Sequence, residues 1–455
     1  MYIFISDLHL MDGTAGYDFV DAGVFASTMN DIAAHAREAD ATELTIVFLG
    51  DVYDLWRTER WYQYPLEARP WGDAPSLEAL EDIFEGVVAA NADTFEILSG
   101  SLADRFDFPV EPERIFVPGN HDRLTNDFPS LRRRVRETLG MNGGDGEELF
   151  PHHVFDEEHG VFARHGHEWD PFSFGGSATL DAGDRVEVPH EDYMQTAIGD
   201  PMAGEFATRL APLVVQHLGR NHPSAEVIAD RMRAITDVRP VAAAMQWAAW
   251  QATQFADTES EAINESISEA ARMVREIPFV QRWIDANDTW GMDRADMFQA
   301  LTRCLSSFEL LEYERVLRIV DEVSTNQRDI DPEVPSREFA RLDSDPDIGP
   351  HVHFLLYGHT HSATQEPIGV IGERPNERFR MYFNTGTWRP VHRPLPPATG
   401  GFASWRELTY VLVFRPGETV SGGGPVPYPA AESWTGTVVG PVERRLAAKL
   451  SRPSS

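Results

Sequence analysis

Five short segments of the sequence carry the side chains most suited to chemistry, and each follows a run of apolar residues. They are Asp7-Leu8-His9, Gly50-Asp51-Val52-Tyr53-Asp54, Gly119-Asn120-His121-Asp122, His165-Gly166-His167 and Gly358-His359-Thr360-His361. Carboxylate, amide and imidazole donors without sulfur suit borderline divalent cations such as Mn, Fe, Zn, Ni or Co. These residue types predict a metal site.

The spacing within the segments favours shared ligation of a cation. Alternate residues of an extended chain lie on one face, so Asp7 and His9 can turn toward one cation, and so can His359 and His361. A carboxylate on a tight turn, such as Asp51, can bridge two cations at the separation that stabilises displacement at phosphorus. Glycines that permit sharp turns and close backbone approach precede donors at Gly50, Gly119 and Gly358.

Short runs rich in Val, Ile, Phe and Tyr predict the strands that must position these segments. The predicted strands cover residues 2–5, 44–49, 115–117, 161–163, 352–357, 381–383 and 408–414. Amphipathic helices are predicted over residues 25–39 and 77–98, between the first three strands. This alternation of strand and helix favours an α/β sandwich.

A long helical region interrupts the strand pattern. From about residue 171 to 350 the sequence shows helical periodicity, for example over 240–255, 259–276 and 292–323. We predict a helical insertion or cap over 171–350 that divides a catalytic domain into residues 1–170 and 351–415. A tail over 416–455, rich in Gly and Pro and with a short helix near 442–450, is expected at the periphery.

Composition places the chain among globular proteins. Of its 455 residues 42% are apolar and 25% charged, and no apolar run approaches the roughly 18 residues of a membrane span. The N-terminal residues already resemble a strand, which leaves no room for an export signal. The single cysteine, Cys304, lies in an apolar helical pattern typical of a buried thiol. We therefore expect a cytoplasmic protein.

The formal net charge of −34 bears on the partners of the protein. It disfavours tight nonspecific binding to nucleic acid or to an anionic membrane surface. A small or medium phosphorylated substrate, whose charge a cation can neutralise, fits the composition better. Nucleic acid stays possible as a less favoured partner, because a local groove lined by arginines could bind it despite the negative net charge.

In this order, the five segments resemble the motifs of the calcineurin-like metallophosphoesterase superfamily, over about residues 1–170 and 351–390. The resemblance implies an αββα sandwich of two packed mixed β-sheets and two divalent cations, with Mn favoured. The implied ligands are Asp7, His9 and His361 for one cation, Asn120, His165 and His359 for the other, and Asp51 as the bridge. A metal-bound hydroxide would attack phosphorus, and activity should fall on acidification because ligating histidines must be neutral.

The resemblance also implies roles for residues beside the ligands. His121 would donate a proton to the leaving alkoxide or stabilise the phosphoryl oxygens, and Asp122 would orient it. Asp54 is expected to position ligands from behind, with a solvated turn carboxylate as the alternative. His167 is expected either to support the ligands or to contact substrate.

Arginines near the segments are candidates for binding a substrate phosphate, although an exposed arginine is the commoner case. They are Arg57, Arg123, Arg164 and Arg389. An aromatic group follows the second segment and is expected to pack against the helical cap, with stacking on a base or an acyl chain as the alternative. It consists of Trp56, Trp61, Tyr62, Tyr64 and Trp71.

Several functions stay open at this point. Hydrolysis of phosphate mono- or diesters is the leading expectation. The first two segments are similar to the UDP-diacylglucosamine pyrophosphohydrolase branch, although His121 and the large insertion depart from part of that branch. A DNA or RNA nuclease shares the motifs, and a Ser/Thr phosphatase usually has Glu where Asp122 stands. A decayed, non-enzymatic binding scaffold should have lost ligands, and none is missing.

Overall fold

Two mixed β-sheets form the centre of the computed structural model, which describes residues 1–16, 21–142, 146–176, 187–287, 334–371, 377–396 and 400–439. The strands are β1 (Tyr2–Ile5), β2 (Thr45–Leu49), β3 (Glu113–Val117), β4 (Val154–Asp156), β5 (Val161–Ala163), β6 (Phe354–Tyr357), β7 (Thr364–Ile371), β8 (Arg378–Asn384), β9 (Pro390–Pro394), β10 (Phe402–Phe414) and β11 (Ala430–Val439).

Each sheet contains three neighbouring parallel strands. The first sheet has the order β11-β10-β1-β2-β3, with β9 paired to the first residues of β10. Strands β1, β2 and β3 are parallel, while β10 runs antiparallel to β1. The second sheet has the order β4-β5-β6-β8-β7, in which β5, β6 and β8 are parallel. Each sheet therefore brings several carboxyl strand ends to one edge.

Alternating side chains explain how the sheets pack face to face. In β1, Phe4 belongs to the apolar layer between the sheets, whereas Ile3 and Ile5 pack with helices on the opposite face. The buried members of the layer between the sheets are Phe4, Val47, Leu49, Val117, Val154, Val161, Ala163, Phe354, Leu356, Phe383, Val411 and Val413. This layer holds together the strands that carry the polar segments.

Helices cover the outer face of the first sheet. They are α1 (Ala22–Glu38), α2 (Leu77–Ala90), α3 (Ala92–Ser99), α4 (Leu102–Phe106) and α5 (Pro129–Leu139). Helix α1 begins at Asp21, whose Oδ1 accepts a hydrogen bond from the Val24 amide at 2.9 Å. The helix predicted over 77–98 is interrupted, because Asn91 leaves helical geometry and its side-chain amide donates to the Met11 carbonyl at 2.8 Å.

The described part of the predicted insertion is also helical. It contains α6 (His190–Tyr193), α7 (Gly199–Pro201), a π-helical stretch (Met202–Ala207), α8 (Thr208–Leu218), α9 (Ala225–Arg233), α10 (Ala244–Ala252), α11 (Asp257–Arg275), α12 (Pro278–Asn287) and α13 (Val334–Leu342). Helix α13 covers the outer face of the second sheet, where Phe339 packs in one cluster with Leu355 and Tyr357. The helix predicted over 292–323 and Cys304 lie outside the described residues.

Short 3-10 helices connect the larger elements. They span Glu59–Gln63, Leu66–Ala68, Arg123–Asn126, His167–Trp169, Ala234–Asp237, Val241–Ala243 and Gly349–His351. With helices on both outer faces of the paired sheets, the architecture is an α/β sandwich. None of the described helices has the length and apolarity needed to cross a membrane.

Strands β4, β7, β9 and β11 are absent from the sequence-based prediction. Strand β11 lies in the predicted tail, where it pairs with β10 over the whole of residues 430–439. The tail therefore contributes the edge strand of the first sheet. The helix predicted near 442–450 lies outside the described residues.

The aromatic group after the second segment packs against the insertion. Trp56, Trp61 and Trp71 are buried, and the Tyr62 hydroxyl donates to the Gly204 carbonyl at 2.8 Å. A Cβ atom on Gly204 would lie 2.1 Å from the Trp71 ring, so only glycine permits this contact. The insertion is thus joined to the sandwich by close apolar packing.

Removal of one side chain from the layer between the sheets tests this packing. Leu356 is fully buried, and Leu356→Ala should lower the free energy of unfolding by about 2–5 kcal/mol because it leaves a cavity. Val370, which is 55% exposed on β7, is the matched position, and Val370→Ala should change the value by less than about 0.5 kcal/mol. Urea unfolding measures both, and equal effects would contradict the packing.

Candidate metal centre

The five polar segments follow the carboxyl ends of parallel strands. Asp7, Asp51, His165 and His359 each stand two residues after the end of β1, β2, β5 and β6, respectively, and Asn120 stands three residues after β3. Because β1, β2 and β3 are neighbours in one sheet, and β5 and β6 in the other, these residues gather at one edge of the sandwich. The sequence-based prediction that they converge therefore has a direct structural cause.

Glycines allow the segments to approach one another closely. A Cβ atom on Gly50 would lie 2.2 Å from Nδ1 of His165. A Cβ on Gly119 would lie 2.3 Å from Oδ1 of Asp51, and a Cβ on Gly358 would lie 2.4 Å from Oδ2 of Asp7. No other residue fits at these positions without a shift of a donor.

Backbone strain is concentrated at the same residues. Seven non-glycine residues have positive φ in the described part of the chain, and five of them are donors of the centre. These are Asp7 (52°), His9 (45°), Asp51 (54°), His359 (66°) and His361 (57°). Such left-handed conformations cost roughly 1–3 kcal/mol each and cluster at functional sites. The turns aim the side chains inward at the expense of local stability.

The first donor group consists of Asp7, His9 and His361, whose ligand atoms lie within 4.8 Å of one another. Nε2 of His361 lies 3.3 Å from Oδ1 of Asp7 and 2.9 Å from Nε2 of His9. Oδ1 of Asp7 is buried and has no hydrogen-bond partner among the residues that the structure describes. An unpaired buried carboxylate oxygen facing two imidazoles is the arrangement that a divalent cation satisfies.

The second donor group consists of Asp51, His165 and His359, with Asn120 beside it. Oδ1 of Asn120 lies 3.0 Å from Nδ1 of His359. Oδ2 of Asp51 lies 3.3 Å from Nε2 of His165 and 3.6 Å from Nε2 of His9. Asp51 therefore stands between the two groups.

Hydrogen bonds orient three of the histidine rings, those of His165, His9 and His359. Nδ1 of His165 donates to the Leu49 carbonyl at 2.8 Å, and Nδ1 of His9 lies 3.0 Å from Oδ2 of Asp54. Nε2 of His359 lies 3.0 Å from Oδ2 of Asp170. Histidine ligands commonly bind such partners through the nitrogen away from the metal. These buried histidine and aspartate groups can hold a metal ion.

Neighbouring charges keep the buried carboxylates ionised. Burial alone would raise the pKa of Asp51, yet His165 and His121 hold it well below its usual range. Burial also opposes ionisation of Asp54, but the Arg57 guanidinium and His121 hold the pKa of Asp54 well below its usual range. The carboxylates of the centre are therefore ionised, which is the state in which they can bind a cation.

The contacts of Asp122 differ from the predicted role. Its carboxylate accepts hydrogen bonds from the backbone amides of Gly119 at 2.7 Å and Val52 at 2.8 Å, so it joins two turns. The carboxylate beside the His121 ring is that of Asp54, whose Oδ1 lies 3.0 Å from Nδ1 of His121. These contacts therefore do not support the orienting role predicted for Asp122, because spacing along the chain does not tell which carboxylate faces the ring.

Two of the arginines proposed to bind phosphate are occupied by carboxylates. Arg123 pairs with Asp200 of the insertion at 2.7 Å and is 2% exposed. Arg57 donates through Nε to Asp54 and through Nη1 to the Thr236 hydroxyl at 3.0 Å. Both guanidiniums therefore link the sandwich to the insertion through hydrogen bonds and ion pairs.

The other two arginines are also buried beside carboxylates. Arg389 makes a bidentate pair with Asp237 at 2.7 and 2.9 Å, and Arg164 lies 3.3 Å from Glu338. A carboxylate already in contact competes with a phosphate for each of these guanidiniums. The predicted phosphate-binding role is therefore not supported by their contacts.

His167 lies behind the centre in an aromatic environment. It is fully buried, and its ring centroid is 5.3 Å from that of His165 and 5.7 Å from that of Tyr193. Burial and the neighbouring His165 lower its pKa well below the usual value, so the ring is neutral. The ring therefore contacts His165 from a position without access to solvent.

Two residues of the site are absent from the sequence-based prediction. Asp170 contacts His359, and the only sequence signal for it is its place three residues after His167. Arg239 of the insertion contacts His361 across 122 residues of sequence, which no local pattern predicts.

Comparisons with known proteins do not assign the chain to a family. No protein-family model matches the chain, and no curated protein matches it. The functional interpretation therefore depends on the donors and their surroundings.

Metal binding should be visible as stabilisation. Mn²⁺ at a concentration of about one hundred times its Kd should stabilise the folded chain by about 2.7 kcal/mol for each ion bound, and EDTA should reverse the rise in Tm. Asp51→Asn should lose most of the shift, because it removes charge from both donor groups. Asp156→Asn is the control, since Asp156 binds His159 at 2.8 Å outside the centre. A full Mn²⁺ shift in Asp51→Asn would contradict the shared position of Asp51.

Proposed function

We propose that the protein is a binuclear metal-dependent phosphoesterase that hydrolyses phosphate mono- or diesters. The observation that carries the proposal is the position of Asp51 between two groups of buried donors at one edge of the sandwich. Donors joined in this way suit a pair of divalent cations, with Mn favoured and Fe, Zn, Ni or Co also compatible with the donor set.

Under this proposal the donors divide between two cations. Asp7, His9 and His361 would hold one, and Asn120, His165 and His359 the other, with Asp51 shared. Two divalent cations bound there would lower the pKa of a water molecule and neutralise charge on the phosphoryl oxygens. The buried Oδ1 of Asp7 and Nε2 of His165, which have no hydrogen-bond partner among the described residues, support this assignment.

His121 would exchange a proton with the ester. Its backbone amide donates to Oδ1 of Asp51 at 2.8 Å, and Asp54 holds Nδ1, which leaves Nε2 for the leaving alkoxide. Burial opposes protonation of the ring, but the carboxylates of Asp54 and Asp51 raise the pKa of His121 above its usual value. A ring whose pKa is raised in this way is better suited to act as a general acid.

Charge near the centre favours a compact substrate over a long polyanion. The net charge is −34, and Arg123 and Arg389 are occupied by Asp200 and Asp237. A nuclease needs free basic groups that follow the backbone of the nucleic acid. These pairs therefore count against the nuclease alternative.

Loss of the shared carboxylate tests the proposal. Asp51→Asn should abolish hydrolysis of bis(p-nitrophenyl) phosphate in the presence of Mn²⁺, because both donor groups lose charge. Asp156→Asn should keep the activity of the unchanged chain. Full activity in Asp51→Asn would contradict the proposal, and rapid degradation of single-stranded DNA with little turnover of small esters would favour the nuclease.

The role assigned to Asp54 gives a second test. Asp54→Asn should lower kcat or Mn²⁺ affinity about 10- to 100-fold, because His9 and His121 lose the carboxylate that orients them. Asp122→Asn is the comparison, and its loss should appear mainly as a lower Tm because Asp122 binds backbone amides. A larger fall in kcat for folded Asp122→Asn than for Asp54→Asn would instead support Asp122 as the residue that orients His121.

A further inference from the structure

One arginine of the insertion reaches the donor cluster directly. Arg239 follows the 3-10 helix Ala234–Asp237, and its side chain is buried, with 8% of the residue exposed. Nη2 of Arg239 lies 2.6 Å from Nδ1 of His361. The insertion thus contributes a cationic group to the first donor group.

The backbone around Arg239 is fastened to the sandwich. Asp237 is held by the bidentate pair with Arg389, and the Arg239 amide donates to the His392 carbonyl at 2.8 Å. Nη1 of Arg239 donates to the carbonyls of Thr236 at 3.0 Å and Val238 at 2.9 Å. The segment therefore presents Nη2 of a restrained guanidinium to the centre.

The contact with His361 and ligation by His361 exclude each other. A guanidinium only donates hydrogen bonds, so Nδ1 of His361 must accept and Nε2 must carry the ring proton. Nε2 is the nitrogen that faces Asp7 at 3.3 Å and His9 at 2.9 Å. A histidine that binds a cation through Nε2 needs its lone pair there and a proton on Nδ1. Nη2 is then available to donate to a different acceptor.

We propose that this acceptor is a phosphoryl oxygen of the substrate, so that Arg239 is the phosphate-binding residue supplied by the insertion. The inference rests on the proposed phosphoesterase function and deepens it. An ionised phosphate oxygen is a stronger acceptor for a guanidinium than an imidazole nitrogen. Cation ligation by His361 and phosphate binding by Arg239 therefore favour each other, while the hydrogen bond between the two residues opposes both.

This arrangement predicts opposite changes in two binding constants on substitution. Arg239→Met removes the competing hydrogen bond and a positive charge, so Mn²⁺ should bind about tenfold more tightly. Inorganic phosphate should bind the Mn²⁺-loaded variant about tenfold more weakly, because a charge-assisted hydrogen bond is lost. Isothermal titration calorimetry measures both constants. A purely structural role of Arg239 would weaken both.

Two further variants keep the test decisive. Arg239→Lys keeps the positive charge but loses the planar guanidinium. Its Mn²⁺ affinity should stay near that of the unchanged chain. Its phosphate affinity should lie between those of the unchanged chain and Arg239→Met. Arg233→Met is the control, because Arg233 pairs with Asp230 at 2.6 Å outside the centre and should leave both constants unchanged. The Tm of each variant establishes that it is folded.

The outcomes separate this inference from the proposed function. Failure of the unchanged chain to take up Mn²⁺ would overturn the proposed function and this inference with it. Uptake of Mn²⁺ and phosphate with the same constants in the unchanged chain and in Arg239→Met would overturn the inference alone. Weaker Mn²⁺ binding in folded Arg239→Met would also overturn it.

Discussion

Two carboxylates that water barely reaches, Asp7 and Asp51, set the main constraint on this structure. They are 0% and 1% exposed, and a buried charge is tolerated only where opposite charges and hydrogen bonds surround it. The parallel strand ends bring imidazoles to them, and the adjacent glycines let backbone amides come close. The geometry of the edge follows from the need to compensate these charges.

The insertion is part of that compensation. Its residues Asp200 and Asp237 pair with Arg123 and Arg389, which are themselves buried beside the centre. Separation of such pairs would leave uncompensated charges in an apolar interior, so the insertion is firmly docked where these pairs form. It forms one wall of the centre and presents Arg239 from that wall.

The sequence alone predicts the central strands and the donor segments, because each of these has a local pattern. Buried strands read as apolar runs, and the donor segments follow them at fixed short distances. Strand β4 is too short for a pattern, and β11 has mostly exposed or half-buried side chains, so periodicity does not reveal either. Spacing along the chain does not encode how distant turns meet. It therefore does not predict that Asp54, and not Asp122, lies beside His121. The contacts of Asp170 with His359 and of Arg239 with His361 are missed for the same reason.

The left-handed turns also set stability against metal binding at the same residues. Glycine at Asp7, His9, Asp51, His359 or His361 would relieve the strained backbone and at the same time delete a donor. A substitution that made the backbone more stable at one of these positions would therefore weaken the binding of a cation. Backbone stability and the donor set therefore make opposite demands on the same five positions.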